Sequence, residues 1–418
     1  METRGNGVRA RLVMAAIVAL TAALGIAACG GSSSSSTGSE STSSGSETSA
    51  ESTTASSESG PADPDKVYAP GVPTLNELYE KGEEDPPSSG PPPVKGLNVV
   101  FMSCGQEAPA CAKVPDTMAA PAKKLGWNYR IINGKLGQNN GWVNGVREAV
   151  ALQPDVIVVH GVNCPEIQQP LKEAEEAEIP VLGLENIDCN GKNAGGSEEL
   201  FKVPFIYTKT QKDGTEHYYQ WGVAQADYVI DATKGNAKII QTVYEPVLGQ
   251  DQKEGQDAEL AKCSGCEVVA ELPFVAAEET PQGPFYQKAM TLLTQYPEAN
   301  VFLHNFDTGL VTAGLAKGIV DAGRSDDMLV IGGEGNAELA QLIREDKGVD
   351  AAPGAHDSEW LAWAAADEIN RYFNDEPAVP EGLGYITVDK EHNLPPAGKG
   401  YETKIPFEEI YEKSWGLR

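Results

Sequence analysis

Residues 97–102 read LNVVFM and residues 155–160 read DVIVVH, two apolar runs that each lead through a turn into a helical pattern. The same rhythm continues at residues 129–132 (YRII) and 181–184 (VLGL). Runs without polar alternation are typical of strands that are covered on both faces. Because these strands alternate with helices, the sequence predicts a parallel sheet.

Helical stripes separate the predicted strands. Val143, Val146 and Val150 recur at three- and four-residue spacing, which places them on one buried face. A second series of strands begins at residue 237 with AKIIQTV and continues with EVVAEL near 267, NVFLH near 300 and MLVIGG near 328. The body that follows residue 95 is therefore predicted to contain two α/β units in tandem.

The N-terminus resembles a bacterial lipoprotein signal. Arginines before residue 12 form a basic start, residues 12–28 form an apolar run that is short for a membrane span, and Cys29 follows two small residues. The resemblance implies that residues 1–28 are a signal peptide and that Cys29 is lipidated. An ordinary secretory signal or a single membrane anchor is the alternative.

Residues 29–94 are predicted to be a disordered tether. Residues 30–60 are almost entirely Ser, Thr, Gly and Glu, which offer no apolar face to bury, and residues 61–93 are rich in Pro, Gly and acid. Only residues 67–78 carry enough apolar side chains for a short ordered piece. The chain has 61 acidic and 32 basic residues. This balance argues against a nucleic-acid partner, because phosphate contacts need clustered Lys and Arg.

Six cysteines remain besides Cys29, and an even number in an exported chain favours disulfides. The nearest neighbours in sequence are Cys104 with Cys111, Cys164 with Cys189, and Cys263 with Cys266. A Cys-x-x-Cys pair also occurs in redox centres and zinc sites. No second pair or His cluster at metal-ligand spacing accompanies Cys263 and Cys266, so we expect no metal site.

Ligands of open parallel sheets bind beyond the carboxyl ends of the strands, so polar side chains in those loops are candidate binding residues. Such side chains suit ligand hydroxyls, since a buried hydroxyl left unpaired costs about 1–3 kcal/mol. In the first unit the candidates are Ser103, Gln106, Asn163 and Glu185. In the second unit they are Gln250, Asn305, Asp307 and Glu334, together with His356 and the aromatic Phe306.

Six segments occur along the body in a fixed order: VVFMSCGQ (99–106), QPDVIVVHGVN (153–163), IPVLGLEN (179–186), LLTQYPEANVFLHNFDTGLVTAGLAKGI (292–319), MLVIGGEGN (328–336) and WLAWAAADEINRYFN (360–374). In this order they resemble the type I periplasmic binding proteins, the ribose- and galactose-binding family of sugar ABC-transporter lipoproteins. The resemblance runs from about residue 97 to the C-terminus.

The resemblance implies an α/β fold of two Rossmann-like lobes, joined by three crossover segments near residues 205–212, 352–356 and 385–389. The lobes would be discontinuous. The N-terminal lobe would contain residues 95–208 and 355–386, and the C-terminal lobe residues 209–354 and 387–418. Asn163, Asp307 and Glu334 would stand at ligand-binding positions of the family, whereas Gln250 stands approximately where pentose binders carry an Arg.

The function that the resemblance implies is capture of a small polar ligand, a sugar or polyol, between the lobes and its delivery to an ABC permease. The protein would be a monomer without a cofactor, held by its lipid anchor on the outer face of the cell membrane. A receptor that senses its ligand without transport is an open alternative. A cleft hydrolase using Asp307 and Glu334 is another, although the chain has no GxxxxGK[ST], HExxH or GxSxG motif.

Structural alternatives exist for several candidates. Asp307 precedes a predicted helix and is placed to serve as its N-cap. Trp360 and Trp363 lie three residues apart on an Ala-rich helical pattern, so we expect them in the core. Trp142 and Trp221 are also candidates for stacking on a sugar ring, but Phe306, in the predicted binding loop, is the preferred aromatic residue.

Overall fold

The computed structural model of the protein describes residues 60–418. Its helices are α1 (Leu75–Glu80), α2 (Pro109–Leu125), α3 (Gly141–Ala151), α4 (Cys164–Glu176), α5 (Gly214–Ala232), α6 (Val247–Leu260), α7 (Pro284–Gln295), α8 (Asp307–Val311), α9 (Leu315–Asp321), α10 (Ala337–Arg344), α11 (Ser358–Tyr372) and α12 (Phe407–Ser414). Its strands are β1 (Asn98–Ser103), β2 (Asn128–Asn133), β3 (Val156–His160), β4 (Val181–Leu184), β5 (Ala237–Tyr244), β6 (Cys266–Phe274), β7 (Val301–Leu303), β8 (Leu329–Ile331), β9 (Ala351–Ala355) and β10 (Ile386–Asp389).

The first lobe is built on a four-stranded parallel sheet with the order β2-β1-β3-β4. Successive residues of each strand face opposite sides, so both sides of the sheet are apolar. Phe101 and Val158 belong to a core that contains residues of α2 and α11, and Met102 and Val159 belong to a core that contains residues of α3 and α4. This burial on both faces explains the continuous apolar runs and confirms the predicted parallel sheet.

The second lobe is built on a six-stranded sheet with the order β10-β9-β8-β7-β5-β6, in which only β10 runs antiparallel to its neighbour. The segments predicted as the second and third crossovers form β9 and β10 of this sheet. Between them the chain visits the first lobe, where α11 packs against α2. The predicted fold class, two α/β lobes with largely parallel sheets, is confirmed.

The C-terminal helix differs from the predicted grouping of residues 387–418 with the second lobe. Phe407, Tyr411 and Trp415 on and beside α12 pack in the first-lobe core with Trp360 and Trp363 of α11. The two tryptophans are thus core residues, as predicted. The four-residue spacing of the three α12 aromatics marks a buried face, but spacing does not specify which lobe the face covers.

Residues 69–94, which we call the strap, correct the prediction of a tether that is largely without structure up to residue 94. Thr74 and Glu77 form a capping box that starts α1, and Leu75 and Tyr79 are buried in the second lobe. Further along, the backbone carbonyl of Pro91 accepts a hydrogen bond from Asn370 of the first lobe. Sparse apolar residues suffice here because existing lobes supply the surface that buries them.

The structure joins all three cysteine pairs as predicted, Cys104–Cys111, Cys164–Cys189 and Cys263–Cys266. The predicted signal peptide and the lipidation site Cys29 lie outside the described residues. Among residues 60–418, none of the helices combines the length and the apolar character that a membrane span requires.

Candidate functional site

A cavity of about 90 Å³ lies in the cleft between the two lobes. Its walls come from the segments that follow β1, β2, β3 and β4 in the first lobe and β5, β6, β7 and β8 in the second, together with α5. The carboxyl ends of both parallel sheets therefore converge on one space, as open α/β sheets generally do at their ligand sites. The lining contains several aromatic rings and the carboxyl groups of Glu185, Glu279 and Glu334.

The first-lobe wall is held in place by the Cys104–Cys111 disulfide. The carbonyl oxygen of Cys104 accepts a hydrogen bond of 2.8 Å from Nε1 of Trp142, which fixes the indole at the edge of the cavity. Gly161, directly after β3, has a φ of 66°, and a Cβ there would stand 2.9 Å from the sulfur of Cys104. A glycine is therefore needed for the disulfide and the strand end to meet.

Glu185, after β4, is buried between two histidines. Its Oε2 lies 2.8 Å from Nε2 of His160, and its Oε1 lies 2.9 Å from Nε2 of His356. Nδ1 of His356 lies 2.9 Å from the carbonyl oxygen of Gly354, so each nitrogen of this ring faces an acceptor and donates a proton. Burial opposes both charges, but the histidines hold the pKa of Glu185 well below its usual range, and the carboxylate raises the pKa of His356. The two residues form a buried ion pair.

Trp221 of α5 is the centre of an aromatic wall. Its ring stacks on Tyr218 with 5.7 Å between centroids and meets Phe306 edge to face at 5.8 Å. Phe306 in turn meets Tyr244 edge to face at 5.3 Å. Gly354 permits this arrangement, because a Cβ there would stand 1.9 Å from Nε1 of Trp221. That nitrogen is buried and has no hydrogen-bond partner among the described residues.

Asp307 and Glu334 join the two loops at the second-lobe wall. Oδ1 of Asp307 accepts hydrogen bonds from the backbone amides of Gly333 and Glu334 at 2.9 and 3.0 Å, and Oδ2 accepts one from Asn336 at 2.8 Å. Oε2 of Glu334 accepts a hydrogen bond of 2.7 Å from the amide of Asp307. Burial and then the neighbouring Asp307 raise the pKa of Glu334 far above its usual range. Burial raises the pKa of Asp307 as well, and its three amide donors oppose that rise.

Glu279, which lines the cavity, and His304, which does not, form a second buried pair. The hydroxyl of Thr242 donates to Oδ1 of Asn305 at 2.6 Å, so Nδ1 of His304, 3.0 Å from that hydroxyl oxygen, must itself donate. Nε2 of His304 lies 3.3 Å from Oε1 of Glu279. Burial raises the pKa of Glu279, and the histidine offsets this only in part. Neither Nε2 of His304 nor Oε1 of Glu279 makes a hydrogen bond among the described residues, although both atoms are buried.

The structure separates the predicted site residues into two groups. Glu185, Phe306 and Glu334 line the cavity, and His356 contacts Glu185. The others do not line the cavity. Five of them are held at the strand ends by hydrogen bonds: the Ser103 hydroxyl donates to the carbonyl of Cys111, the backbone amide of Gln106 donates to Asn133, Asn163 accepts the amide of Ile187, Asn305 donates to Gln252, and Asp307 accepts the three amides above. Gln250 is exposed on α6 and donates to the carbonyl of Glu245. Direct ligand contact by these residues stays a prediction.

Asp307 is not the N-cap that its position suggested as an alternative. Phe306 occupies the cap position of α8, and no side-chain cap hydrogen bond is made there. The carboxylate points instead to the loop after β8, where it replaces missing backbone acceptors. Sequence spacing alone could not distinguish these two uses, since both place an Asp at the start of a helix.

Sequence reasoning missed several lining residues, among them His160, Tyr218 and Glu279. His160 is the last residue of β3, and a polar residue at a strand end is a signal that the sequence does contain. Glu279 lies five residues after the end of β6, a loop that the search did not consider. Tyr218 lies within α5, and no rule about strand ends would have found it.

Comparison with known proteins identifies the fold. The family model described as "Periplasmic binding protein domain" matches residues 99–376. A search of curated proteins finds no match. Among solved structures, a solute-binding protein from Agrobacterium vitis with bound allitol is 16% identical with a TM-score of 0.56, and the alignment covers 71% of this chain and 97% of that one.

Two further structures are similar. A glucose-galactose binding protein from Geobacillus stearothermophilus is 16% identical, with a TM-score of 0.58 and coverage of 71% of this chain and 98% of that one. A periplasmic ribose ABC transporter protein from Conexibacter woesei is 18% identical, with a TM-score of 0.54 and coverage of 72% and 95%. At these identities the structures show a shared fold. Since the family model spans more than half of the sequence, the chain belongs to the periplasmic binding protein family, in its type I form.

Proposed function

We propose that the protein is an extracytoplasmic, lipid-anchored solute-binding protein that captures a small polar ligand, a sugar or polyol, in the interlobe cleft and delivers it to an ABC permease. The observation that carries this proposal is a set of buried polar atoms without hydrogen-bond partners among the described residues. Nδ1 of His160, Nε1 of Trp221 and Oε1 of Glu279 all belong to residues that line the cavity. Each such atom costs about 1–3 kcal/mol when unpaired, and ligand hydroxyls would pair with them.

The aromatic wall supports the same class of ligand. Sugars and polyols present C–H groups between their hydroxyls, and these groups pack on rings such as Trp221 and Phe306 while the hydroxyls bond to the polar atoms. Two of the structural neighbours, a solute-binding protein with bound allitol and a glucose-galactose binding protein, agree with this class. The hydrolase alternative loses its acid–base pair, because both oxygens of Asp307 are bonded to backbone amides.

The proposed mechanism is closure of the lobes. The cavity takes its walls from both lobes, so a ligand that bonds to His160 and Trp221 together stabilises the closed arrangement. Moving such an equilibrium from mostly open to mostly closed requires a preference of about 10⁴-fold for the closed state. A permease that recognises the closed surface would then distinguish loaded from empty protein.

Ligand binding is tested by a thermal-shift screen over sugars, polyols, nucleosides and amino acids. A ligand at about 100 times its dissociation constant adds about 2.7 kcal/mol of stability, which a melting curve detects readily. We expect Phe306→Ala to weaken binding of the hit at least tenfold, that is by about 1.4 kcal/mol, in calorimetry.

The matched control is Phe373→Ala, which truncates a partly buried ring of the first lobe away from the cavity. It should lower the melting temperature without changing the dissociation constant. Small-angle scattering of the wild-type protein should show compaction on saturation. A hit that binds Phe306→Ala as tightly as wild type, or that leaves the scattering curve unchanged, would contradict the proposed site or the closure mechanism.

The lipid anchor is tested separately. We expect Cys29→Ala to abolish incorporation of a labelled fatty acid and to remove the mature form from the membrane fraction, because the thiol is the acceptor of the lipid. Ser33→Ala, in the adjacent low-complexity stretch, is the control and should be lipidated like wild type. Wild-type protein that is secreted without lipid would refute the anchor.

A further inference from the structure

Residues 306–309, which are the cap residue and the first turn of α8, lie between two buried carboxyl groups at one wall of the cleft. Oε2 of Glu334 accepts the amide of Asp307 in this turn. Oε1 of Glu279 lies against its end, since a Cβ on Gly309 would stand 2.8 Å from that oxygen. Phe306 and Thr308, on the same turn, line the cavity with both glutamates. The carboxyl groups thus flank one short stretch of cavity wall.

Aromatic rings surround the same stretch. Phe306 is met edge to face by Tyr244 and by Trp221, at 5.3 and 5.8 Å between centroids, and all three line the cavity. The face of an aromatic ring carries negative electrostatic potential and attracts an ammonium or guanidinium group, most strongly where water is excluded. Carboxyl groups and ring faces together form a surface that favours a cation.

The ionisable side chains that line the cavity also favour a cation over an anion. Three of them are carboxyl groups, those of Glu185, Glu279 and Glu334, and the imidazole of His356 pairs with Glu185. No Lys or Arg from residues 60–418 lines the cavity. A ligand with a negative charge would therefore meet acidic groups and no basic side chain of Lys or Arg, whereas an ammonium group would be attracted.

We propose that the ligand of this cleft carries a protonated amine as well as hydroxyl groups, and that the amine binds at the 306–309 turn between Glu279 and Glu334. The proposal rests on the proposed function and narrows its ligand class from sugars and polyols to their amino derivatives. The unpaired Oε1 of Glu279, on a side chain that is 4% exposed, is the acceptor for the ammonium group. His160 of the first lobe and Trp221, beside Phe306, remain for the hydroxyls.

The test uses pairs of compounds that differ only in one amine: D-glucosamine with D-glucose, D-galactosamine with D-galactose, and 1-amino-1-deoxy-D-sorbitol with D-sorbitol. Thermal shift on the mature protein ranks the pairs, and calorimetry measures each dissociation constant for the best pair. We expect the amine to bind at least tenfold more tightly than its neutral partner. Glu279→Gln and Glu334→Gln should each reduce that ratio at least fivefold.

Glu278→Gln is the matched control, since Glu278 is adjacent in sequence but pairs with Lys288 outside the cavity. It should keep the full preference for the amine. Neutral compounds that bind as tightly as their amines would overturn this inference and leave the proposed function standing. Stabilisation by no member of any pair would overturn both. A preference that survives in Glu279→Gln, the variant that keeps the Asp307–Glu334 contact, would overturn the assigned position of the amine.

Discussion

We expect Asp307→Ala to lower the free energy of unfolding by on the order of 4 kcal/mol. The substitution removes the acceptor of three buried backbone amides, those of Gly333, Glu334 and Asn336. Hydrogen bonds to a charged group contribute about 1.5–3 kcal/mol each, and a buried amide left unpaired adds a desolvation cost. Simple loss of a helix cap would cost only about 1 kcal/mol, so chemical denaturation distinguishes the two roles.

Asp307→Asn is the matched variant. Its amide keeps one oxygen, which can still accept the amides of Gly333 and Glu334, and loses the acceptor for Asn336. We expect about half the loss seen for alanine. Both variants should also weaken ligand binding, because the loop that they loosen carries Glu334 into the cavity. An alanine variant that is destabilised by 1 kcal/mol or less would show that water or the backbone replaces this carboxylate at no cost.

The strands of both lobes were predictable because a sheet that is buried on both faces requires apolar residues at nearly every position of its strands. Each residue of DVIVVH from 156 onward lies in one of the two first-lobe cores or at the base of the cleft, so the run has no polar interruption until His160. The short strands β7 and β8 were found for the same reason. Their loops, rather than their interiors, carry the polar residues.

The site was only partly predictable because a polar side chain after a strand has two uses. Glu185 and Phe306 line the cavity. Asn305 and Asp307, the two sequence neighbours of Phe306, instead form hydrogen bonds to neighbouring segments. The sequence shows that a side chain carries an oxygen atom, but it does not show whether the turn directs that side chain into the cavity or toward a neighbouring loop. Tyr218 enters the site from the face of a helix, where it resembles any other buried aromatic residue.

The strap and the C-terminal helix α12 were the least predictable parts of the described fold. The strap and α12 each bury a few apolar residues on surfaces that the lobes provide. Composition correctly reports that residues 61–94 have no core of their own, and it says nothing about an adjacent surface on which they can pack. The predicted lobe boundaries between residues 205 and 389 remain predictions for the same reason, because contacts and not composition define a lobe.

We expect Glu185→Gln to destabilise the protein by about 3–5 kcal/mol near pH 6, the range found when one partner of a buried ion pair is removed. Glutamine keeps the shape of the side chain but leaves the imidazolium of His356 without its counter-ion. Glu173→Gln is the control, because Glu173 pairs with Arg147 at the surface, where solvent screens the charges, so this substitution should destabilise the protein far less. Equal effects of the two substitutions would contradict a buried ion pair at Glu185.

The pH dependence of this difference identifies the charges involved. Folding raises the pKa of His356 above its ordinary 6.5, so its contribution is complete below that pH and is lost as pH rises through the raised value. Folding lowers the pKa of Glu185 below its ordinary 4.5, so its contribution is complete above that pH and is lost as pH falls through the lowered value. The gap in melting temperature between wild type and Glu185→Gln should therefore be largest between pH 4.5 and 6.5 and should narrow on both sides. A gap that stays constant from acid to alkaline pH would mean that Glu185 acts through its hydrogen bonds and not through its charge.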